Sequence, residues 1–160
     1  MIVSVHQPNL FPWLGFFDKM ACSDIFILLD VVPFTKNGFQ KRVQLKGPNG
    51  SRWLTVPVIT KGRFGQATHD VEIDNSNQWK RDHLKTFVCL YRNTPGYDCL
   101  IPKLEQLYVS HYKRLVDFTI PGILLLKEGL GLTTRVIRAS ELGITGKGSQ
   151  LICDLVVAVG

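Results

Sequence analysis

Near the N-terminus, His6, Gln7, Pro8 and Asn9 join an apolar run to an amphipathic one in the stretch VHQPNLFPWLGFFDKM. An imidazole acts as acid, base or phosphate donor near neutral pH. The amides of Gln7 and Asn9 add paired donors and acceptors. Pro8 and Pro12 restrict the backbone, so the groups between them are pre-positioned. Gly15 admits a ligand or a second backbone at close range. A second chemical group follows. After Asp30 no acidic residue occurs before Asp70, while Lys36, Lys41, Arg42, Lys46, Arg52, Lys61 and Arg63 fall between them. Such a run suits phosphate or carboxylate, and Arg grips either bidentately. Lys36, Lys41 and Arg42 stand nearest to Asp30 and are the candidates for that grip. The other reading of these cations is an edge hairpin whose lysines block aggregation.

Together these residues suggest positioning and charge stabilisation of an anionic donor. His6 is the expected general base or phosphate contact. Asp30 is expected to orient it or to bind a sugar hydroxyl. His83, in KRDHLKTF, is flanked by Lys80, Arg81 and Lys85 and faces either the same anion or water. His69 and His111 have no distinguishing context. Phe39 and Trp53 read as core, so aromatics do not interleave with the cations as on an RNA-stacking platform.

These groups need elements to hold them. Ile2–Val5 reads as a short buried strand, and the prolines then interrupt. From Trp13 to Cys22 the apolar positions Trp13, Phe16, Phe17 and Met20 fall at helical spacing. Ile25–Leu29 is a continuous apolar run of the kind buried on both faces of a parallel sheet. The opening is therefore a βαβ unit, and its loops meet at the carboxyl edge of the sheet, where α/β proteins bind ligands. The residues from Phe39 to Leu45 and from Trp53 to Val58 predict an antiparallel hairpin around Gly47-Pro48-Asn49-Gly50. Lys61 to His69 reads as a loop, and Val71 to Ile73 as a short strand. Helices are predicted over Gln78–Arg92, Ile101–Val109 and Tyr112–Leu130, with Pro121 ending or kinking the last. Arg135–Ala139 is expected to be a parallel strand, with a further helix from Ser149. The expected class is α/β: a small parallel-containing sheet opened by a βαβ unit, a hairpin insert and a helical middle. The chain stops at Val157-Ala158-Val159-Gly160 within an apolar element, which suggests a missing C-terminal portion.

The 160 residues suit one domain over 1–160. Hydrophobic residues make up 45% and charged residues 20%, a globular rather than disordered mix. The net charge of +6 favours an anionic small molecule, or gives simply a basic solvated surface. Nucleic acid is not the expected partner. Cys22, Cys89, Cys99 and Cys153 form no CxxC pair, and no signal-peptide pattern precedes them. That pattern favours free thiols in a reducing cytoplasm and argues against zinc. No apolar run reaches the length of a membrane span. The P-loop, GxGxxG, GxSxG and HExxH fingerprints are missing, so no cofactor is expected.

The stretches HQPNLFPWLGFFDKM, DIFILLD, KRVQLKGPNGSRWLTVPV and DNSNQWKRDHLKTF, with SELG and GKGSQLI after them, resemble the WbqC-like protein family. The resemblance covers essentially the whole chain. His6, Gln7, Pro8, Pro12, Trp13, Gly15, Asp30, Arg42, Pro57, Asp74 and His83 match its pattern. This chain departs at Asp30-Val31-Val32-Pro33, where the family is often DDVQ-like. The resemblance implies a bacterial cytoplasmic protein of surface-polysaccharide (O-antigen) gene clusters. It further implies a transferase of acyl or aminoacyl type, acting on a nucleotide-linked sugar or activated acyl donor. The nucleotidyl type comes from a fold-level analogy with HxGH nucleotidyltransferases, in which His6, Pro12, Gly15 and Asp24 take comparable places and Phe16 stands for the second histidine. The alternative is a non-catalytic module that binds the same anion or partners a biosynthetic enzyme.

Overall fold

The computed structural model describes residues 1–48 and 50–160. The fold is α/β, and its order is legible from the apolar patterning. β1 (Val3–His6) leads into α1 (Leu14–Ala21), which returns to β2 (Ile25–Leu28). β2 pairs in parallel with β1 on one side and with β5 (Arg135–Arg138) on the other, giving the order β1-β2-β5. All four β2 residues are buried, as a central parallel strand requires. Successive side chains take opposite faces. Phe26 and Leu28 pack on Phe16, Phe17 and Met20 of α1 and on Val116, Ile120 and Ile123 of α4 (Leu115–Gly129). Ile25 and Ile27 pack on Leu151 and Leu155 of α5 (Gly148–Ala158). Helices thus cover both faces of a narrow sheet.

A second body of core joins the insert to the helical middle. β3 (Arg42–Gly47) and β4 (Gly50–Thr55) form an antiparallel hairpin. The turn expected between them includes Asn49, which lies outside the described residues. Leu45 and Leu54 face inward against Phe87 of α2 (Trp79–Tyr91), Leu104 and Tyr108 of α3 (Tyr97–Val109), and Phe118 of α4. Leu10 and Phe11, from the turn after β1, enter the same cluster. Two expectations need correction. α4 does not end at Pro121 but continues through it to Gly129. An internal proline costs about 3 kcal/mol, and here the buried run Leu115, Val116, Phe118, Ile120 and Ile123 offsets it. Val71–Ile73 forms isolated bridges, Val58 with Ile73 and Glu72 with Arg114, rather than a strand.

No helix among the described residues is long and apolar enough to cross a membrane.

Candidate functional site

The carboxyl ends of β1, β2 and β5 share one edge, and the insert is tied to it twice. At its base, the chain leaves at Asp30 and returns at His69. The amide of His69 donates to Asp30 O at 2.9 Å, that of Thr68 to Val32 O at 2.9 Å, and that of Phe34 to Gln66 O at 2.9 Å. Pro33 and Ala67 bridge between these bonds. Nearer the hairpin, Leu10 N–H donates to Phe39 O at 2.9 Å, and Gln40 Nε2 donates to Gln7 Oε1 at 3.1 Å. The cationic segment therefore sits against the turn that begins at His6.

His6 is half-buried, with its ring edge-on to Trp13 at 5.7 Å and to Phe16 at 5.0 Å between centroids. Its Nδ1 lies 2.9 Å from Gln7 O. A carbonyl only accepts, so Nδ1 carries the proton and donates. That tautomer leaves the Nε2 lone pair with no hydrogen-bond partner among the described residues. Gly15 has a packing role: a Cβ there would lie 2.7 Å from Trp13 Nε1. The exposed indole folds back over the start of α1 and frames His6. The turn also holds Phe11 at φ 41°, a left-handed conformation that is strained for a bulky residue. Contacts of Phe11 with Phe87 at 5.6 Å and Phe118 at 6.2 Å keep it there.

Lys36, Lys41 and Arg42 come together. The Lys41 pKa is lowered, first by burial and then by the positive charges of Arg42 and Lys36. None of the three makes an ion pair among the described residues. The Arg42 guanidinium lies 4.5 Å over the Trp53 ring and donates through Nη2 to Asn37 O at 2.6 Å. Among the described residues, its buried Nε has no acceptor and buried Gln40 Oε1 has no donor. Buried groups of this kind are normally satisfied. Asn9 is also buried and makes no side-chain hydrogen bond among the described residues. Lys36 lines a cavity of about 560 Å³ with Phe34, Lys61, Arg63, Phe64 and Gln66. Another cavity, of about 570 Å³, lies among α2, α3 and α4 and is mainly apolar. Its one cation, Lys103, is engaged by Glu128 at 2.6 Å, so it offers nothing to an anion.

Asp30 stands at the expected edge but turns away from His6. Its fully buried carboxylate accepts from Arg138 Nε at 3.0 Å, Ser140 N at 2.9 Å and Ser140 Oγ at 2.7 Å. These bonds lock the end of β2 to the end of β5. His83 faces neither anion nor water. It is buried with Trp79 and Phe87 on the inner face of α2. Nε2 donates to Thr55 O at 3.0 Å, and Nδ1 accepts from Tyr108 Oη at 3.0 Å. Burial lowers its pKa to about 4, against smaller opposite pulls from the Thr55 carbonyl and Asp82. It is a neutral core residue. Phe39 and Trp53, expected in the core, are by contrast outside it: they are 52% and 44% exposed. His69 is the residue the sequence did not single out. Its Nδ1 donates to Asp30 O at 3.0 Å, beside the same edge. Only the non-local pairing of 30–34 with 66–69 brings it there, and no local signal marks it.

A model of the WbqC-like protein family matches residues 7–160. An uncharacterized protein of Mycobacterium tuberculosis, Rv1507c, is 27% identical over 154 residues, covering 96% of this chain and 66% of the relative. The chain thus spans just under two thirds of that curated relative. No solved structure matches it. With that match over nearly its whole length, the chain belongs to the WbqC-like protein family.

Proposed function

We propose that this protein is a cytoplasmic transferase of surface-polysaccharide biosynthesis whose donor is an anionic, phosphate-bearing small molecule. The donor binds between the His6–Asn9 turn and the cationic segment. The observation that carries this reading is the convergence of Lys36 and Arg42 on Lys41 with no acidic partner among the described residues. Lys41 is partly desolvated and feels the positive charges of both Arg42 and Lys36, so its charge is unfavourable until an anion arrives. The Gln7–Gln40 bond joins that cluster to the turn carrying His6.

In this scheme Arg42 and the two lysines hold the donor phosphate and stabilise charge developing on the leaving group. The free Nε2 of His6 takes a proton from the acceptor nucleophile. Trp13 and Phe16 fix the ring, and Gly15 makes room for Trp13. Gln7 and Asn9 orient the transferred group. Asp30 acts indirectly, by holding the sheet edge rigid.

A non-catalytic binding module is the second reading. It is favoured by the orientation of Asp30, which leaves His6 without a carboxylate partner. His6→Ala separates the two. The protein is screened by thermal shift against nucleotide sugars and acyl donors, and turnover of the best ligand is then followed. At a hundred times its dissociation constant, a ligand adds about 2.7 kcal/mol of stability. Transferase action predicts that His6→Ala abolishes turnover, by roughly a hundredfold or more, with the thermal shift retained. Unchanged turnover, or a protein that binds and never turns over, contradicts it.

A further inference from the structure

Beside the cation cluster, the hairpin presents an aromatic surface that packing does not explain. Alternation along β3 and β4 sends Leu45 and Leu54 into the core and leaves Arg42, Gln44 and Trp53 on the outer face. Phe39 joins Trp53 there, with ring centroids 6.1 Å apart and planes tilted by only 32°. The core rings around Phe118 cross at 60° or more instead. The outer pair is thus a tilted, solvent-exposed aromatic surface. Arg42 belongs to both groups: its guanidinium lies over Trp53 and its charge is felt at Lys41. A ligand that satisfies both would carry an anion next to a flat ring. Gln44, exposed and opposite Trp53 in the hairpin register, supplies an amide for the edge of such a ring.

We infer that Phe39 and Trp53 form a stacking seat for a nucleobase, so that the anion held by Lys36, Lys41 and Arg42 is the phosphate of a nucleotide. This rests on the anion site proposed above. It adds the subsite that distinguishes a nucleotide from any other phosphate. Bases stack on aromatic side chains largely regardless of their identity, so the seat selects the class rather than one base.

Titration calorimetry at fixed ionic strength tests this with uridine diphosphate, adenosine diphosphate, ribose 5-phosphate and inorganic pyrophosphate. The proteins are the full chain and its Phe39→Ala, Trp53→Ala and Lys36→Ala/Lys41→Ala variants. A nucleoside diphosphate is expected to bind on the order of tenfold more tightly than pyrophosphate. Phe39→Ala should erase most of that advantage and leave pyrophosphate binding unchanged, and Trp53→Ala should erase it too while weakening pyrophosphate modestly, because Arg42 loses the ring beneath it. Phe39→Ala keeps Arg42 on Trp53, so it reads stacking alone. Equal affinity for pyrophosphate and nucleotide, or an advantage that survives both aromatic variants, overturns the base seat while leaving the anion site intact. Ribose 5-phosphate binding as well as the nucleotides overturns it in favour of sugar stacking. A ten-residue oligothymidylate binding far more tightly than either nucleotide, with a steep salt dependence, overturns it in favour of single-stranded nucleic acid. No binding of pyrophosphate or nucleotide, or binding untouched by the double lysine variant, removes the underlying anion site as well.

Discussion

His6 and His83 show how the same side chain is directed to opposite ends. His6 is half-buried and donates from Nδ1 to its neighbour's carbonyl, which leaves its other nitrogen without a partner among the described residues. His83 spends both nitrogens on the core, one with Tyr108 and one with Thr55. Burial holds it neutral, with a pKa lowered from 6.5 to about 4. The unfolded chain therefore binds a proton below pH 6.5 that the folded protein refuses until about pH 4. Stability from this residue is complete above 6.5 and is lost as pH falls toward 4. The interval is worth on the order of 3 kcal/mol. Urea melts of wild type and His83→Gln across this range check it. The wild type should lose that much more stability on acidification than the variant, and parallel slopes would show that His83 is not buried neutral. The flanking Lys80, Arg81 and Lys85 suggested a solvated residue, yet Trp79, His83 and Phe87 repeat every fourth position. That stripe was the legible sign of an inward face.

At the scale of elements, the parts set by local pattern were readable. The spacing of Phe16, Phe17 and Met20, and the unbroken run of β2, give the βαβ opening and the parallel sheet. What was hidden depends on pairing across distance. The clamp of 30–34 on 66–69 fixes both ends of the insert, and no window of sequence contains both. Phe39 and Trp53 were misread because aromatic identity alone points inward. Strand alternation against the buried Leu54 places Trp53 outside. The docking of the insert on the His6 turn rests on Gly38. A Cβ there would collide with Gln40 Oε1 and lie 3.1 Å from Thr35 O. Gly38→Ala should therefore push Gln40 off Gln7. The expected result is a loss of roughly 1 kcal/mol in stability and about tenfold weaker anion binding, readable by thermal melt and calorimetry. Unchanged anion affinity would mean that the docking of Gln40 does not shape the site.

Over the whole molecule, the two bodies of core divide the labour. The sheet with α1, α4 and α5 supplies a rigid carboxyl edge, reinforced where Asp30 ties β2 to β5. The hairpin and α2–α4 form a second core that carries the cations. The segment from His6 to Phe16 belongs to both, through Phe16 on one side and Phe11 on the other. A ligand at that seam would touch both bodies. Amide chemical-shift mapping during a titration with inorganic pyrophosphate tests this most directly. The account predicts that the largest perturbations fall together on residues 6–9 and 36–42, with His6 and Arg42 saturating at the same dissociation constant. Perturbations confined to the Lys61–Gly65 loop or to the helices, with His6–Asn9 silent, would contradict it.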